Sequence, residues 1–287
     1  MLNLYKTLLK NKTQLSDSVY LFNFDLVDPP EFSFSPGQYL LLEVPQSGDE
    51  PIKRPYSIAS SNQQKNRFDL IVQIIPQGRA TSYLSSLKSG DKVIFYGPAG
   101  VFTLRPNLKN KIFLATGCGI APVRSMIFSL YKISDFSLLS DFNSAPKETK
   151  SDNLDDRQNG IIKNDFQKLD KQDSIDVKLF WGLRYYQDIY LYEEFKKPSE
   201  KPVNFQFKIC LSREYSLKQI SSTEQKYFSF GHINKEIEKL FLNQKRDRSV
   251  FTKTDFYLCG GREIVDSLRN FLLEKGIKET NIYFEKY

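Results

Sequence analysis

The chain has 287 residues, more than one compact domain usually needs and enough for two, and its 40% hydrophobic content with 23 Phe and 16 Tyr can build their cores. Its 41 Lys and Arg against 34 Asp and Glu give a formal charge of +7, which favours acidic partners. The two signs are interspersed along the chain, which argues against the concentrated basic segment of a nucleic-acid binder.

The opening stretch, Met1 to Tyr20, mixes Lys, Asn, Gln and Asp among its Leu residues and lacks the apolar segment and cleavage site of a secretory leader, so a cytoplasmic protein is expected. No run of about 18 apolar residues occurs, so no membrane span is expected. Short strands follow at Val19–Leu26, Gln38–Val44, Phe68–Ile75 and Lys92–Tyr96. They are separated by turn signals at Asp28-Pro-Pro30, Ser35-Pro-Gly37, Pro76-Gln-Gly78, Ser89-Gly-Asp91 and Gly97-Pro-Ala-Gly100, a pattern that predicts an antiparallel barrel or sandwich. After Arg105-Pro106 the character changes. Lys111–Ala115 reads as a buried strand, followed by a Gly-containing turn and a helix from Pro122 to Tyr131. Further apolar strands at Val177–Trp181, Phe205–Leu211 and Asp255–Cys259, spaced by helix-length stretches, predict a Rossmann-like parallel α/β sheet. The expected division is a first domain over residues 1–108 and a second over 109–287. Within the second, about 132–174 is rich in Ser, Asp, Asn, Lys and Gln and reads as a polar, partly disordered insertion.

Three stretches carry candidate chemistry. Extended Arg54-Pro55-Tyr56-Ser57 presents Arg and Tyr on one side, a cation for a diphosphate beside a flat ring for stacking; alone, it equally describes a strand with an exposed Arg and a packed Tyr. In Gly78-Arg79-Ala80-Thr81-Ser82, Gly permits close approach and the hydroxyls sit where a helix starts, as in a phosphate site or an ordinary helix cap. Thr116-Gly117-Cys118-Gly119-Ile120-Ala121-Pro122 follows a strand and opens a helix, the arrangement that offers backbone amides to a pyrophosphate. The three cysteines, Cys118, Cys210 and Cys259, are far apart and form no CxxC pattern, so neither a disulfide framework nor a metal or iron–sulfur site is expected. The single histidine, His232, excludes mechanisms that need two imidazoles.

Taken in order, Arg-x-Tyr-Ser, Gly-x-x-Thr-Ser and Gly-x-Gly-Ile-Ala-Pro closely resemble the ferredoxin–NADP reductase family of flavoproteins. The resemblance covers almost the whole chain, through Phe180-Trp-Gly-Leu-Arg184, Leu211-Ser-Arg-Glu214 and Tyr257-Leu-Cys-Gly260 to Phe284-Glu-Lys-Tyr287. It implies a barrel that binds FAD and an α/β domain that binds NADP, with NAD possible. It implies that Arg54 meets the FAD diphosphate, Tyr56 stacks on the isoalloxazine and Ser57 lies near its N5, while Gly78, Thr81 and Ser82 complete the phosphate site. Thr116, Gly117, Gly119 and Pro122 would line the nicotinamide dinucleotide's pyrophosphate, and Cys259 and Gly260 would flank the nicotinamide. Tyr287 would cover the other flavin face until nicotinamide displaces it, and Glu285 would serve proton and electron exchange. Ser57, Cys259, Glu285 and Tyr287 are thus the expected catalytic set.

The same resemblance implies that Ser212 and Arg213 grip a 2′-phosphate and that Tyr227 stacks on the adenine, although Tyr227 lies further from Ser212 than in the plant-type enzymes. Pro55, Cys118 and the 132–174 stretch are further departures from the plant-type pattern. The implied activity is electron transfer from NADPH to an acidic one-electron carrier such as ferredoxin or flavodoxin. Pro55 also suits a reductase serving an oxygenase or reducing free flavins. The remaining alternative is a non-catalytic binding subunit that keeps the fold.

Overall fold

Alternation of buried and exposed positions builds the first sheet. The computed structural model describes residues 2–46, 48, 50–132, 175–200, 204–216, 218, 220–243 and 249–287. The polar stretch expected over 132–174 therefore lies, apart from Lys132, outside the described residues. Strand β1 (Asn3–Gln14) buries Tyr5, Thr7 and Leu9, β2 (Val19–Asp28) buries Phe22 and Phe24, and β3 (Tyr39–Val44) buries Leu40, Leu42 and Val44. With β4 (Ile52–Ser57), β5 (Arg67–Gln73) and β6 (Lys92–Ala99) they form an antiparallel sheet in the order β4-β3-β6-β1-β2-β5. The sheet curls until Ile58, just past β4, bridges Leu70 on β5, and the Ala59 amide donates to the Asp69 carbonyl at 2.8 Å. Phe24, Phe68 and Phe95 pack inside with ring centroids 5.0–5.3 Å apart. The helix α1 (Arg79–Ser86) sits between β5 and β6 in sequence.

Strand β1 was not anticipated, because its outward face carries Leu4, 41% exposed, and Leu8, and these blur the alternation that marks a half-buried strand.

The second sheet is parallel throughout. It comprises β7 (Asn110–Thr116), β8 (Val177–Leu183), β9 (Phe205–Leu211), β10 (Phe228–Phe230), β11 (Thr254–Gly260) and β12 (Ile282–Lys286), in the order β10-β9-β8-β7-β11-β12. β7 and β11 are continuous apolar runs because both faces are covered. One face packs on α2 (Ile120–Leu130) and α3 (Tyr192–Ser199), and that core runs on into Val19, Ala59, Ile71 and Phe102 of the barrel side. The other packs on α4 (Ile233–Asn243), α5 (Ser249–Thr252) and α6 (Arg262–Glu274). From β7 the strand order runs one way to β10 and the other way to β12. The topological switch point, where open α/β sheets place their ligand crevice, thus lies at the carboxyl ends of β7 and β11. Among the described residues, no helix is long and apolar enough to cross a membrane.

At the opposite end of the same two strands, Lys111 and Asp255 form a fully buried ion pair, Nζ to Oδ2 3.1 Å. Asn107 Nδ2 donates to that carboxylate at 2.9 Å, and burial pulls the Lys111 pKa down against the attraction of Asp255. Removing one partner of a buried pair strands the other charge. Asp255→Ala is expected to lower the stability measured by urea unfolding by about 3–5 kcal/mol, and a loss below about 1 kcal/mol would show the pair to be screened.

Candidate active site

Two loops cross at the switch point with no room for side chains. A Cβ on Gly119 would lie 2.2 Å from the Cys259 carbonyl oxygen, and one on Gly260 would lie 1.9 Å from Thr116 Oγ1. Gly260 also takes φ +153°, a conformation L side chains rarely adopt. Gly117 is different: it needs φ +51°, while the space around its Cβ position is open. Besides the Ile120 amide, its carbonyl accepts from two side chains, Trp181 Nε1 at 3.0 Å and Tyr190 Oη at 3.2 Å, and these two rings pack edge to face with centroids 4.8 Å apart. Pinning that carbonyl inward fixes the 3-10 turn Gly117–Gly119 that runs into α2; the Ile120 amide bonds back into that turn, which leaves the turn's own opening amides as the ones without an intrahelical partner. No side chain caps that end, and Pro122 sits in the first turn, where a missing N–H costs nothing. Backbone amides at such a turn are able to donate to a phosphate.

Four of the expected residues meet beside this crossing. Ser57 Oγ, at the end of β4, donates to Glu285 Oε2 at 3.2 Å. Cys259 Sγ lies 4.0 Å from the same oxygen and 3.8 Å from Tyr287 Oη. The β11–β12 register sets Cys259 opposite Glu285, and the Tyr287 amide is tied to the Gly260 carbonyl at 3.2 Å. Tyr287 is 57% exposed overall, yet its hydroxyl is inserted near Gly119 and Cys259. Burial pushes the Cys259 thiol and the Tyr287 phenol well above their ordinary ranges, so both are neutral walls of the crevice rather than nucleophiles. Burial also raises the Glu285 carboxyl, while the Ser57 hydrogen bond pulls it back.

Tyr56 and Arg54 occupy alternate positions on β4 and so share a face. Burial raises the Tyr56 phenol to about 12, with Arg54 opposing. Arg54 is exposed, one guanidinium nitrogen donating to the Lys53 carbonyl at 2.9 Å. Gly78 caps α1 without a side-chain bond, which leaves that helix start open as well. The Thr81 hydroxyl turns inward, donating to the carbonyls of Ile75 at 3.0 Å and Gly78 at 3.1 Å; it shapes the turn, while Ser82 remains exposed.

Ser212 and Arg213 follow β9 at the carboxyl edge of the second sheet. Ser212 Oγ donates to the Leu183 carbonyl at 3.2 Å, and the exposed Arg213 guanidinium donates to Tyr185 Oη at 3.3 Å. Tyr227 is not with them. Its ring is 7% exposed, stacks on Phe207 at 4.9 Å and reaches Glu200 Oε1 at 3.3 Å through its hydroxyl. The physical reason is β10, which pairs with β9 immediately after Tyr227 and draws that ring into the packing beside α3. Packed there, the ring lines a cavity with Lys178, Phe205 and Lys239, a cavity that Ser212 and Arg213 do not line. The exposed aromatic beside the Ser-Arg pair is Tyr215, at 92%.

Three residues of the site escaped the sequence reading. Trp181 and Tyr190 hold Gly117, and Arg124 lies fully buried at the junction of the two halves. Arg124 did leave a signal, being a lone charge among apolar neighbours in Ile120–Phe128.

A curled antiparallel sheet joined to a parallel α/β sheet, with two open helix starts and a glycine-lined switch point, defines a two-domain dinucleotide-handling oxidoreductase. Residues 6–104 match the family model for the oxidoreductase FAD-binding domain. The chain is 26% identical over 284 residues to the toluate 1,2-dioxygenase electron transfer component of Pseudomonas putida, covering 99% of this chain and 67% of the relative. It is 40% identical over 114 residues to ferredoxin–NADP reductase B of Sorangium cellulosum, covering 39% of this chain and 46% of that one. The fold superposes on ferredoxin–NADP+ reductase from Plasmodium falciparum with a TM-score of 0.69 at 20% identity, covering 99% of this chain and 97% of the other. The chain thus carries an oxidoreductase FAD-binding domain over residues 6–104 and is similar to ferredoxin–NADP reductase and related reductases. The open Gly78 cap, exposed Arg54 and half-buried Tyr56 fit FAD, supplying phosphate donors and a ring face on one side of the barrel.

The Glu285 environment gives a pH prediction. Its folded-state pKa is raised above 4.5, so the fold favours the protonated form, and that contribution to stability is lost as pH rises through the folded value. Infrared titration of the carboxylic C=O stretch, taken as wild type minus Glu285→Gln, is expected to show a midpoint above 4.5. Ser57→Ala removes a bond that stabilises the charged form and should shift the midpoint further up; a midpoint at or below 4.5 in wild type contradicts the burial of this group.

Proposed function

We propose that the chain is a cytoplasmic FAD-dependent reductase that takes hydride from NADPH and passes electrons singly to an acidic carrier protein such as ferredoxin or flavodoxin. The observation that carries this reading is the meeting of Ser57, Cys259, Glu285 and Tyr287 at the glycine crossing, with amides able to donate to phosphates on either side.

When bound, FAD supplies the chemistry of accepting a hydride, with its two electrons, at N5 and releasing those electrons one at a time. The protein's part is mostly positioning, since hydride donor and acceptor must approach to roughly 3–3.5 Å. Arg54 and the amides of α1 hold the FAD diphosphate, and Tyr56 gives the isoalloxazine a flat support. The opening amides of the turn into α2, aimed by the Trp181 and Tyr190 bonds to Gly117, hold the pyrophosphate of NADPH. Tyr287 withdraws its hydroxyl from beside Gly119 and Cys259 to admit the nicotinamide. Cys259 and Gly260 wall the admitted ring. Ser57, hydrogen-bonded to Glu285 at 3.2 Å, would hold a proton beside the bound flavin, and Glu285 would exchange it with solvent. Arg213 and Ser212 select the 2′-phosphate, a dianion that suits a guanidinium fork.

The +7 charge suits an acidic carrier by raising the encounter rate. A second reading, the reductase component of an oxygenase, is favoured by the near full-length similarity to the toluate dioxygenase component. Both readings share the same half-reaction with nucleotide.

Anaerobic rapid mixing of the FAD-loaded protein with NADPH or NADH tests the proposal. Flavin bleaching by NADPH is expected to outpace that by NADH at equal subsaturating concentrations, and Arg213→Gln should weaken NADPH binding by about tenfold or more, the worth of one charge-assisted hydrogen bond. Equal rates with both nucleotides would remove the 2′-phosphate reading. A protein that neither binds FAD nor reacts would be a binding subunit that keeps the fold.

A further inference from the structure

We infer that Arg124 is the positioning residue that sets the separation between the flavin side and the nicotinamide side of the site. This rests on the reductase reading above. Arg124 lies in α2, and its side chain is 0% exposed. One nitrogen, Nη1, donates to the Ala59 carbonyl at 2.9 Å and to Asp69 Oδ2 at 3.1 Å, both on the barrel side. Nε and Nη2 make a two-point contact with Glu194 on α3, at 2.8 and 3.2 Å. Asp69 is itself held, its other oxygen accepting from Asn23 Nδ2 at 2.7 Å.

The chain paths from this cluster to the chemistry are short. Ala59 follows Ser57 by two residues, and Arg124 follows Gly119 by five on the helix that begins at the pyrophosphate turn. The guanidinium therefore ties the loop that presents Ser57 to the helix that presents the nucleotide. Asn62, a little further along the same barrel loop, adds a second tie, its amide donating to Ser129 Oγ on α2 at 3.2 Å.

Energetics argue that the cluster serves geometry. Buried ion pairs are often matched or exceeded in stability by apolar residues of similar volume, and the surrounding interface is already apolar, with Val123, Ile127 and Ala59 in one core. Apolar surfaces slide over one another at little cost, whereas a planar guanidinium bonded in two directions fixes both distance and angle. Such precision matters in a reaction where a displacement of about 1 Å can cost about 100-fold in rate. Arg124 itself is enclosed by protein partners and acts through the elements it joins.

The test uses the full-length FAD-loaded chain in anaerobic rapid mixing, comparing wild type, Arg124→Lys and Glu194→Gln. Lysine keeps the charge but lacks the planar fork that holds both Glu194 oxygens while bonding the barrel side. Flavin reduction at saturating nucleotide should fall by roughly 10- to 100-fold in Arg124→Lys and by a smaller factor in Glu194→Gln. The nucleotide dissociation constant, FAD retention and the rate of reduction by dithionite should stay unchanged, since none depends on nicotinamide–flavin distance. Unchanged limiting rates in the variants, or a parallel loss of FAD or of dithionite reactivity, would overturn the inference. Should Arg124→Lys fail to fold, Glu194→Gln decides by the same criteria. A wild-type flavin that dithionite reduces but neither nucleotide does would overturn the reductase reading and this inference with it.

Discussion

The close crossing of two backbone loops, residues 116–119 over 259–260, is the constraint on which the site depends. It requires glycine at 119 and 260, because any side chain there would occupy space held by the Cys259 carbonyl or the Thr116 hydroxyl. It forms where β7 and β11 run side by side, so the same parallel register that builds the sheet core delivers the crossing. Strand β12, paired to β11, then carries Glu285 and Tyr287 alongside Cys259, and the barrel contributes Ser57 from across the junction. Four residues spread over 231 positions of sequence, from residue 57 to residue 287, are brought together by one sheet edge and one contact between the two sheets' halves.

Charges and neutral polar groups are distributed differently around this point. The buried charges, Lys111 with Asp255 and Arg124 with Asp69 and Glu194, are paired within hydrogen-bond distance and lie on the framework. At the crevice, burial instead keeps thiol and phenol protonated and raises the one carboxyl. Under the proposed function, such a crevice would let a proton pass between Ser57 and Glu285, and helix amides and Arg side chains would serve the dinucleotide's phosphates.

Much of this was legible in sequence because local rules and tertiary context agree. The apolar runs at 112–115 and 256–259 are continuous because both faces of the parallel sheet are covered, and the glycines at 117 and 119 mark the turn of a strand–helix junction. Strand β1 was hidden by Leu4 and Leu8 on its outward face. The position of Tyr227 was not readable by analogy, since a three-residue strand immediately after it redirects the ring inward, an effect of pairing rather than of spacing. Arg124, Trp181 and Tyr190 were missed for a related reason. Their partners are backbone carbonyls and carboxylates brought close only by folding, between 55 and 73 residues away in sequence.

The most direct test of face-to-face flavin and nicotinamide rings is the long-wavelength absorbance of the reduced, FAD-loaded protein titrated anaerobically with NADP+. A crevice walled by Tyr56, Cys259 and Gly260 that stacks the two rings gives a charge-transfer band that saturates with nucleotide, and Tyr287→Ser, by clearing the pocket, strengthens it. A protein that binds both FAD and NADP+ yet develops no such band holds the rings apart, and that result contradicts the site described.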